Sequence, residues 1–316
     1  MRGFHQNPPD RPGWQARLLA PIAALRARAL AARRKAPAFR AELPVITLQV
    51  LAGRLPAQMA AALALAQLLA DGAHMVVPGP GLHRVDGTQS DLEITPEALI
   101  LGAFLPVWQA RDPVAGLRAA QAAGARRVLV LGEGPELLIE SDRRVVLVDA
   151  ARGFGNGRLW PAGPLHAPLH AALEEAAAIV AIGSRDAQTR FASRWRGALG
   201  RVPVFTGALL PLETGMSWQG VRVLAVTGAS LAGSFLPALK SKGAHVIRAI
   251  VLDDADPLAR TMTIRLQREA ATLGAQLVTT ETEALRLPPS LRHGVLSLPL
   301  RVTLDDPDGL RRVLSD

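Results

Sequence analysis

Two segments of this chain have residue types and spacings that bear directly on chemistry. The first is Gly153–Leu165, GFGNGRLWPAGPL, where Gly153, Gly155 and Gly157 alternate around Asn156 and Arg158. Glycines at that spacing allow a tightly turned loop. Arg158 offers a planar fork suited to a phosphate or a sugar, and Asn156 offers an amide able to bond a hydroxyl. The same residues also suit a purely structural turn. The second segment is Gln49–Gln58, QVLAGRLPAQ, which follows an apolar β-rich run and leads into a helical stretch. A phosphate-binding loop would lie there. Such a loop needs several glycines, a Lys for the outer phosphates and a Ser/Thr hydroxyl for Mg²⁺. Here Gly53 is the only glycine and Arg54 a lone cation.

Other spacings have plainer readings. His166 and His170 are four apart, a separation that serves zinc, but no accompanying HExxH glutamate or third ligand is evident and Pro168 between them reads as a helix start. They are read as surface or partly buried histidines. Gly132-x-Gly134 follows a strand, yet the third glycine of a dinucleotide loop is missing and Pro135 intervenes. Glu174 and Glu175 read as a solvated helix face.

These residues need a scaffold, and the pattern supplies an alternating one. Short β-rich apolar runs recur at 44–48, 75–77, 128–131, 145–148 and 179–182, with helical stretches at 56–71, 113–123 and 168–177 between them. A second set of strands at 221–226, 246–251, 276–280 and 295–298 encloses helices at 234–242 and 257–273. Alternation of this kind implies an α/β fold with a parallel sheet and covering helices. Ligands then bind beyond the carboxyl ends of the strands. Residues 201–220, with two prolines, three glycines and a Trp, read as a connection. The expected division is a basic N-terminal helix over 1–40, an α/β domain over 41–205 and a smaller α/β domain over 206–316.

Composition narrows the chemistry further. The 316 residues carry 36 Lys+Arg against 27 Asp+Glu, a net charge of +9, and no Cys. Disulfides, thiolate zinc sites, iron–sulfur clusters and a Cys nucleophile are excluded. The basic excess is nearly all arginine and admits nucleic acid, anionic lipid or a phosphorylated substrate. Nucleic acid is not expected, because stacking platforms and a recognisable binding motif are missing. Within Trp14–Lys35, Leu18, Ile22, Leu25 and Ala29 form a helical stripe, decorated on other faces by arginines. The uncharged run Leu18–Leu25 is far short of the ~20 residues that span a bilayer. An apolar stripe with a basic margin and a flanking Trp suits a helix lying on an anionic membrane surface.

Several segments together resemble the tetraacyldisaccharide 4′-kinase family of lipid A biosynthesis. Gly153–Leu165 is close to that family's GNGR…PAGPL signature, Gly274–Pro288 (GAQLVTTETEALRLP) is similar to its LVTTEKDA-x-RLP segment, and Arg111–Gly124 (RDPVAGLRAAQAAG) is a third match. They occur in family order. The resemblance implies a P-loop-kinase-like parallel sheet with flanking helices and a second, smaller α/β domain. It implies a peripheral protein on the cytoplasmic face of the inner membrane. It further implies ATP and Mg²⁺ as cofactors, and transfer of phosphate to the 4′-hydroxyl of an acylated, phosphorylated disaccharide lipid.

The departures from the family pattern fall on its charged groups. The nucleotide loop corresponds to Ala52, Gly53, Arg54, Gln58 and Met59, with Gln58 in place of the Lys and Met59 in place of the Thr. The DDGFQ run falls on Gly132–Glu136, which leaves Glu133 as a metal-binding remnant. The Arg-Gly-Tyr-Gly loop falls on Pro78–Gly81, the Gly-Asp-Glu-Pro stretch on Thr95–Ala98, and the Asp-His pair on Asp254 and Ala255. Asp254 is left as a possible base, and Asn156, Gly157 and Arg158 as the substrate-binding set. Two expectations follow. One is a degenerate paralogue that binds a lipid A precursor or regulates an intact paralogous kinase. The other is an active lipid kinase with a non-standard nucleotide site.

Overall fold

A computed structural model of the chain describes residues 3–33, 38–52, 58–69, 71–85, 93–133, 139–253 and 258–315. Two units make up the chain: Met1–Ala208 with Leu304–Asp316, and Leu209–Thr303.

In the first unit a short 3-10 turn (Phe4–Gln6) leads to helices α1 (Trp14–Leu18) and α2 (Ala20–Arg33). Then come β1 (Val45–Val50), α3 (Gln58–Leu68), β2 (Ala73–Pro78), β3 (Leu82–Val85), α4 (Pro96–Gly102), β4 (Val107–Ala110), α5 (Pro113–Ala122), β5 (Arg127–Glu133), β6 (Arg143–Asp149), α6 (Leu169–Glu174), β7 (Ala178–Ile182) and α7 (Arg185–Leu199). Strand β8 (Val204–Pro211) carries the chain across the unit boundary. The second unit continues with β9 (Arg222–Gly228), α8 (Ala232–Ser241), β10 (His245–Leu252), α9 (Arg260–Thr272), β11 (Gln276–Thr279), α10 (Glu281–Arg286), α11 (Pro289–Arg292), β12 (Leu296–Ser297) and β13 (Leu300–Leu304). Helix α12 (Pro307–Ser315) belongs to the first unit.

The larger sheet runs β13-β8-β7-β6-β1-β5-β2-β4-β3 and the smaller one β10-β9-β11-β12. From β8 to β4 the pairings are parallel, and β3 is the antiparallel edge. The fold is therefore the mixed α/β class with helices on a mostly parallel sheet. Every residue of β1 and β7 is buried, as expected for strands covered on both faces.

Local sequence explains where several helices begin. Asp112 caps α5 through a bond from the Val114 N–H, followed by Pro113. Thr95 caps α4 ahead of Pro96, and Ser184 caps α7 ahead of Asp186. Such caps satisfy amides that the helix leaves open. Helix α7 buries Phe191, Trp195 and Leu199, one face at helical spacing. The reading of 201–220 as a connection needs correction, because β8 occupies its first half. Val204-Phe205-Thr206 are good strand formers, and a neighbouring buried strand outweighs the turn signal of Gly207 and Pro211.

Candidate functional site

The carboxyl ends of β1 and β6 lie side by side, with Val50 in register with Leu147. Beyond β1 the chain does not leave the sheet freely. Ala52 forms an antiparallel bridge with Leu165, and the His166 N–H donates to the Leu51 carbonyl at 2.8 Å. The chain just beyond β1, where the sequence placed a nucleotide loop as an expectation, and the Gly153–Leu165 loop are thus joined at their bases.

That loop starts where β6 ends. The N–H groups of Arg152 and Gly153 both bond the Asp149 carbonyl, and turns follow at Gly155 and Gly157. Phe154 anchors the loop in the core, edge-on to Phe191 and Trp195 with ring centroids 5.6 and 5.1 Å away. Gly155 has φ of +60°, and a Cβ there would sit 2.5 Å from the His5 carbonyl oxygen, so glycine alone fits.

Asn156 is 2% exposed. Its amide nitrogen donates to the carbonyls of Ala162 (2.9 Å) and Phe4 (3.5 Å), and its Oδ1 accepts from the Arg158 N–H at 3.1 Å. The backbone N–H of Asn156 donates to His5 O at 2.9 Å, while His5 Nε2 donates to Pro161 O at 3.0 Å. In this structure the Asn156 amide is spent on closing the loop and clasping the N-terminal segment to it. Gly157, with φ of +70°, lies against Pro9 and the Trp195 ring. Arg158 is half-buried, and its guanidinium has no partner among the described residues. Of Asn156, Gly157 and Arg158 it is the one whose polar side-chain head is not engaged within the loop.

Between the two strand ends sits a small cavity of about 50 Å³, lined by Gln6, Val50–Ala52, Leu147–Asp149, Arg152–Phe154 and Pro164. It has room for only a few water molecules, well under the ~300–1,000 Å³ of a ligand pocket. Asp149 is the carboxylate on its wall. Burial raises its pKa, and this outweighs the opposing pull of the Ala151 N–H bond and the Arg152 guanidinium. The Ala151 bond is 2.8 Å long and the Arg152 pairing 3.6 Å. Motif spacing gave no hint of Asp149. Its position at the last residue of a buried strand was the available signal.

Gln109 is the second residue that spacing did not reveal. It is fully buried on β4. Its Oε1 accepts from Thr95 N at 2.7 Å, and its Nε2 donates to Pro80 O (2.9 Å) and Glu93 O (2.8 Å). It fastens the Pro78–Gly81 loop to the segment that caps α4.

Gly53, Arg54 and Asp254 lie outside the described residues, as do the side chains of Gln58 and Glu133. Met59, on the first turn of α3, is half-buried and apolar. His170 pairs with Glu174 at 3.1 Å on the exposed face of α6. Among the described residues no group of three or more His, Cys, Asp or Glu is placed to hold a metal ion.

The comparisons agree with one another. A family model for LpxK, tetraacyldisaccharide-1-P 4′-kinase, matches residues 78–316. The tetraacyldisaccharide 4′-kinase of Dinoroseobacter shibae is 41% identical over 99% of this chain and 96% of its own length. That of a Jannaschia species is 42% identical over 96% of this chain and 94% of its own. Among solved structures, a crystal structure of LpxK from Aquifex aeolicus in complex with ATP superposes with a TM-score of 0.69. It covers 95% of this chain and 98% of that one at 18% identity, a likeness of fold and so of the P-loop kinase architecture.

Proposed function

This chain belongs to the tetraacyldisaccharide 4′-kinase family, and from that premise we propose that it acts in lipid A biosynthesis as a member that has lost phosphoryl transfer and holds the acylated disaccharide 1-phosphate. The observation that carries the reading is the pair Gln58 and Met59 at the start of α3. A phosphate-binding helix start works by a Lys that neutralises the outer phosphates and a hydroxyl that binds Mg²⁺. An amide supplies no charge. A thioether is a soft ligand, ill matched to a cation that takes hard oxygen donors. These two side chains therefore do not suit the outer phosphates and Mg²⁺ of Mg·ATP. Losing a single stabilising group in such a site costs roughly 10²–10³ in rate, and here two are replaced together.

The lipid side of the site is where the family pattern persists. Gly153–Leu165 retains its turns, and Arg158 keeps a guanidinium free to meet an anionic or sugar group. The apolar stripe of α1 and α2 supports a position on the cytoplasmic face of the inner membrane. No helix is long and apolar enough to cross a membrane among the described residues. An intact paralogous kinase is a further partner compatible with this role.

The second reading is an active lipid kinase with a non-standard nucleotide site. Asp149 favours it, as a carboxylate at the cavity between the β1 and β6 ends. Titration with Mg·ATP, wild type beside a Gln58→Lys/Met59→Thr variant, separates the two. Weak or absent wild-type binding is expected. Micromolar wild-type affinity would contradict the loss of the nucleotide site.

A further inference from the structure

Helices α1 and α2, joined at Leu19, are together apolar on two sides. Ala23 and Leu30 are buried, and Leu19 and Ala27 pack with them against the cluster that contains Phe154, Leu159 and Leu165. These positions recur at helical spacing and form the face turned toward the unit's own core. Trp14, Leu18, Ile22 and Leu25 form a second face, and it is exposed by 70, 69, 56 and 66% respectively. The helix has thus satisfied its need for a core with one face and still presents large apolar side chains on the other. A run of large apolar side chains of this kind marks an interaction surface.

The exposed face does not end with the helix. At 100° per residue, Arg26 falls on the margin between the two faces. Its guanidinium lies over the ring of Trp160, 5.2 Å from the ring centroid. Trp160 is itself 50% exposed and belongs to the Gly153–Leu165 loop. Between Asp10 and Glu42 the sequence has arginines at 11, 17, 26, 28, 33, 34 and 40, Lys35, and no acid. A basic-margined apolar surface of this sort is complementary to an anionic phospholipid layer. An indole with a cation over it suits the headgroup boundary.

We infer that Trp160 and the outer face of α1–α2 form one lipid-facing surface, so that the loop carrying Asn156 and Arg158 is itself seated in the membrane interface. This deepens the proposed membrane association and rests on it. The loop cannot move independently of the helix. Leu159 and Leu165 pack in the same cluster as Ala23 and Leu30, and His5 is bonded to Asn156 and Pro161 on the loop. Seating the helix therefore fixes the depth of the loop, and with it the height above the acyl chains at which Arg158 meets a headgroup phosphate.

The test is fluorescence quenching by vesicles of equimolar phosphatidylcholine and phosphatidylglycerol whose acyl chains are dibrominated, with cosedimentation run in parallel. Wild-type emission should be quenched. Trp14→Phe and Trp160→Phe should each remove a separate part of the quenched signal. Trp195 and Trp218 are buried and should be little affected. Ile22→Asp, which alters only the helix face, should weaken cosedimentation roughly tenfold or more. If quenching falls in Trp14→Phe but not in Trp160→Phe, the helix docks and the loop does not. That overturns this inference and leaves membrane association intact. If wild type neither sediments with the vesicles nor is quenched, both are overturned. Phenylalanine at 160 keeps an aromatic ring, and an unchanged melting temperature shows that the fold is retained.

Discussion

The backbone N–H of Asn156 donates to the carbonyl of His5 at 2.9 Å, tying the start of the chain to the loop that leaves the sixth strand. Around that bond the Asn156 side chain, the Phe4 carbonyl and the Ala162 carbonyl are closed into one buried network. The loop bearing the family signature is a built object rather than a mobile lid, and its stability is accessible to substitution.

Asn156→Leu removes an amide that serves three backbone groups and strands the Arg158 N–H and the Ala162 carbonyl in a buried setting. Each unsatisfied group costs about 1–3 kcal/mol. We expect a loss of at least ~2 kcal/mol in a urea melt, with Asn156→Asp intermediate because it keeps the acceptor oxygen.

Gly155→Ala places a side chain at φ of +60° and brings its Cβ against the His5 carbonyl oxygen. The left-handed conformation alone costs about 1–2 kcal/mol for a non-glycine residue. The variant should melt lower than wild type. Hydrogen exchange should also show the Asn156 amide losing its protection as the N-terminal clasp loosens.

His74 is buried on β2, its Nδ1 lacks a partner among the described residues, and burial followed by repulsion from Arg84 lowers its pKa below 6.5. The unfolded chain therefore takes up a proton that the folded chain refuses. Stability should fall as pH drops below about 6.5 and level off once the folded imidazole also titrates. His74→Leu should flatten that part of the pH–stability curve, measured as melting temperature against pH.

Asp149 has the opposite character. Its raised pKa means that the folded state holds its proton more tightly than the unfolded one, so stability declines as pH rises from the unfolded carboxylate pKa, about 3.9, through the folded value. Asp149→Asn keeps an oxygen for the Ala151 N–H and removes the charge. It should be more stable than wild type near neutrality, with the advantage shrinking toward acid pH.

Much of the scaffold was legible in the sequence, for definite reasons. Strands β1, β6 and β7 are short continuous apolar runs rich in β-branched residues, the signature of a sheet covered on both faces. Strand β8 was not legible, because Thr206-Gly207 and Pro211 imitate a connection and only its neighbour β7 decides the matter. Helix α7 had signals that composition obscured: its Ser184 cap and its Phe191, Trp195, Leu199 face are set among arginines. In the site, the family signature drew attention to Asn156, yet its partners Phe4 and His5 are distant in sequence, so no spacing rule links them. Gln109 was invisible for the same reason, since its three partners are backbone groups of two other segments. The exposed stripe of α2 was readable at helical period. That the helix also docks by its other face was hidden by the alanines at 23 and 27, which carry too little hydrophobic weight to announce a core face.

On the proposed reading the chain keeps the kinase fold and the loop after the sixth strand but has lost phosphoryl transfer. Purified protein given radiolabelled ATP, Mg²⁺ and tetraacyldisaccharide 1-phosphate in mixed micelles, beside the Dinoroseobacter shibae relative, tests it most directly. The account predicts labelled lipid from the relative and none above blank from this chain. Sustained turnover to a 4′-phosphorylated product, abolished in Asp149→Asn, would contradict it and establish a nucleotide site built from other groups.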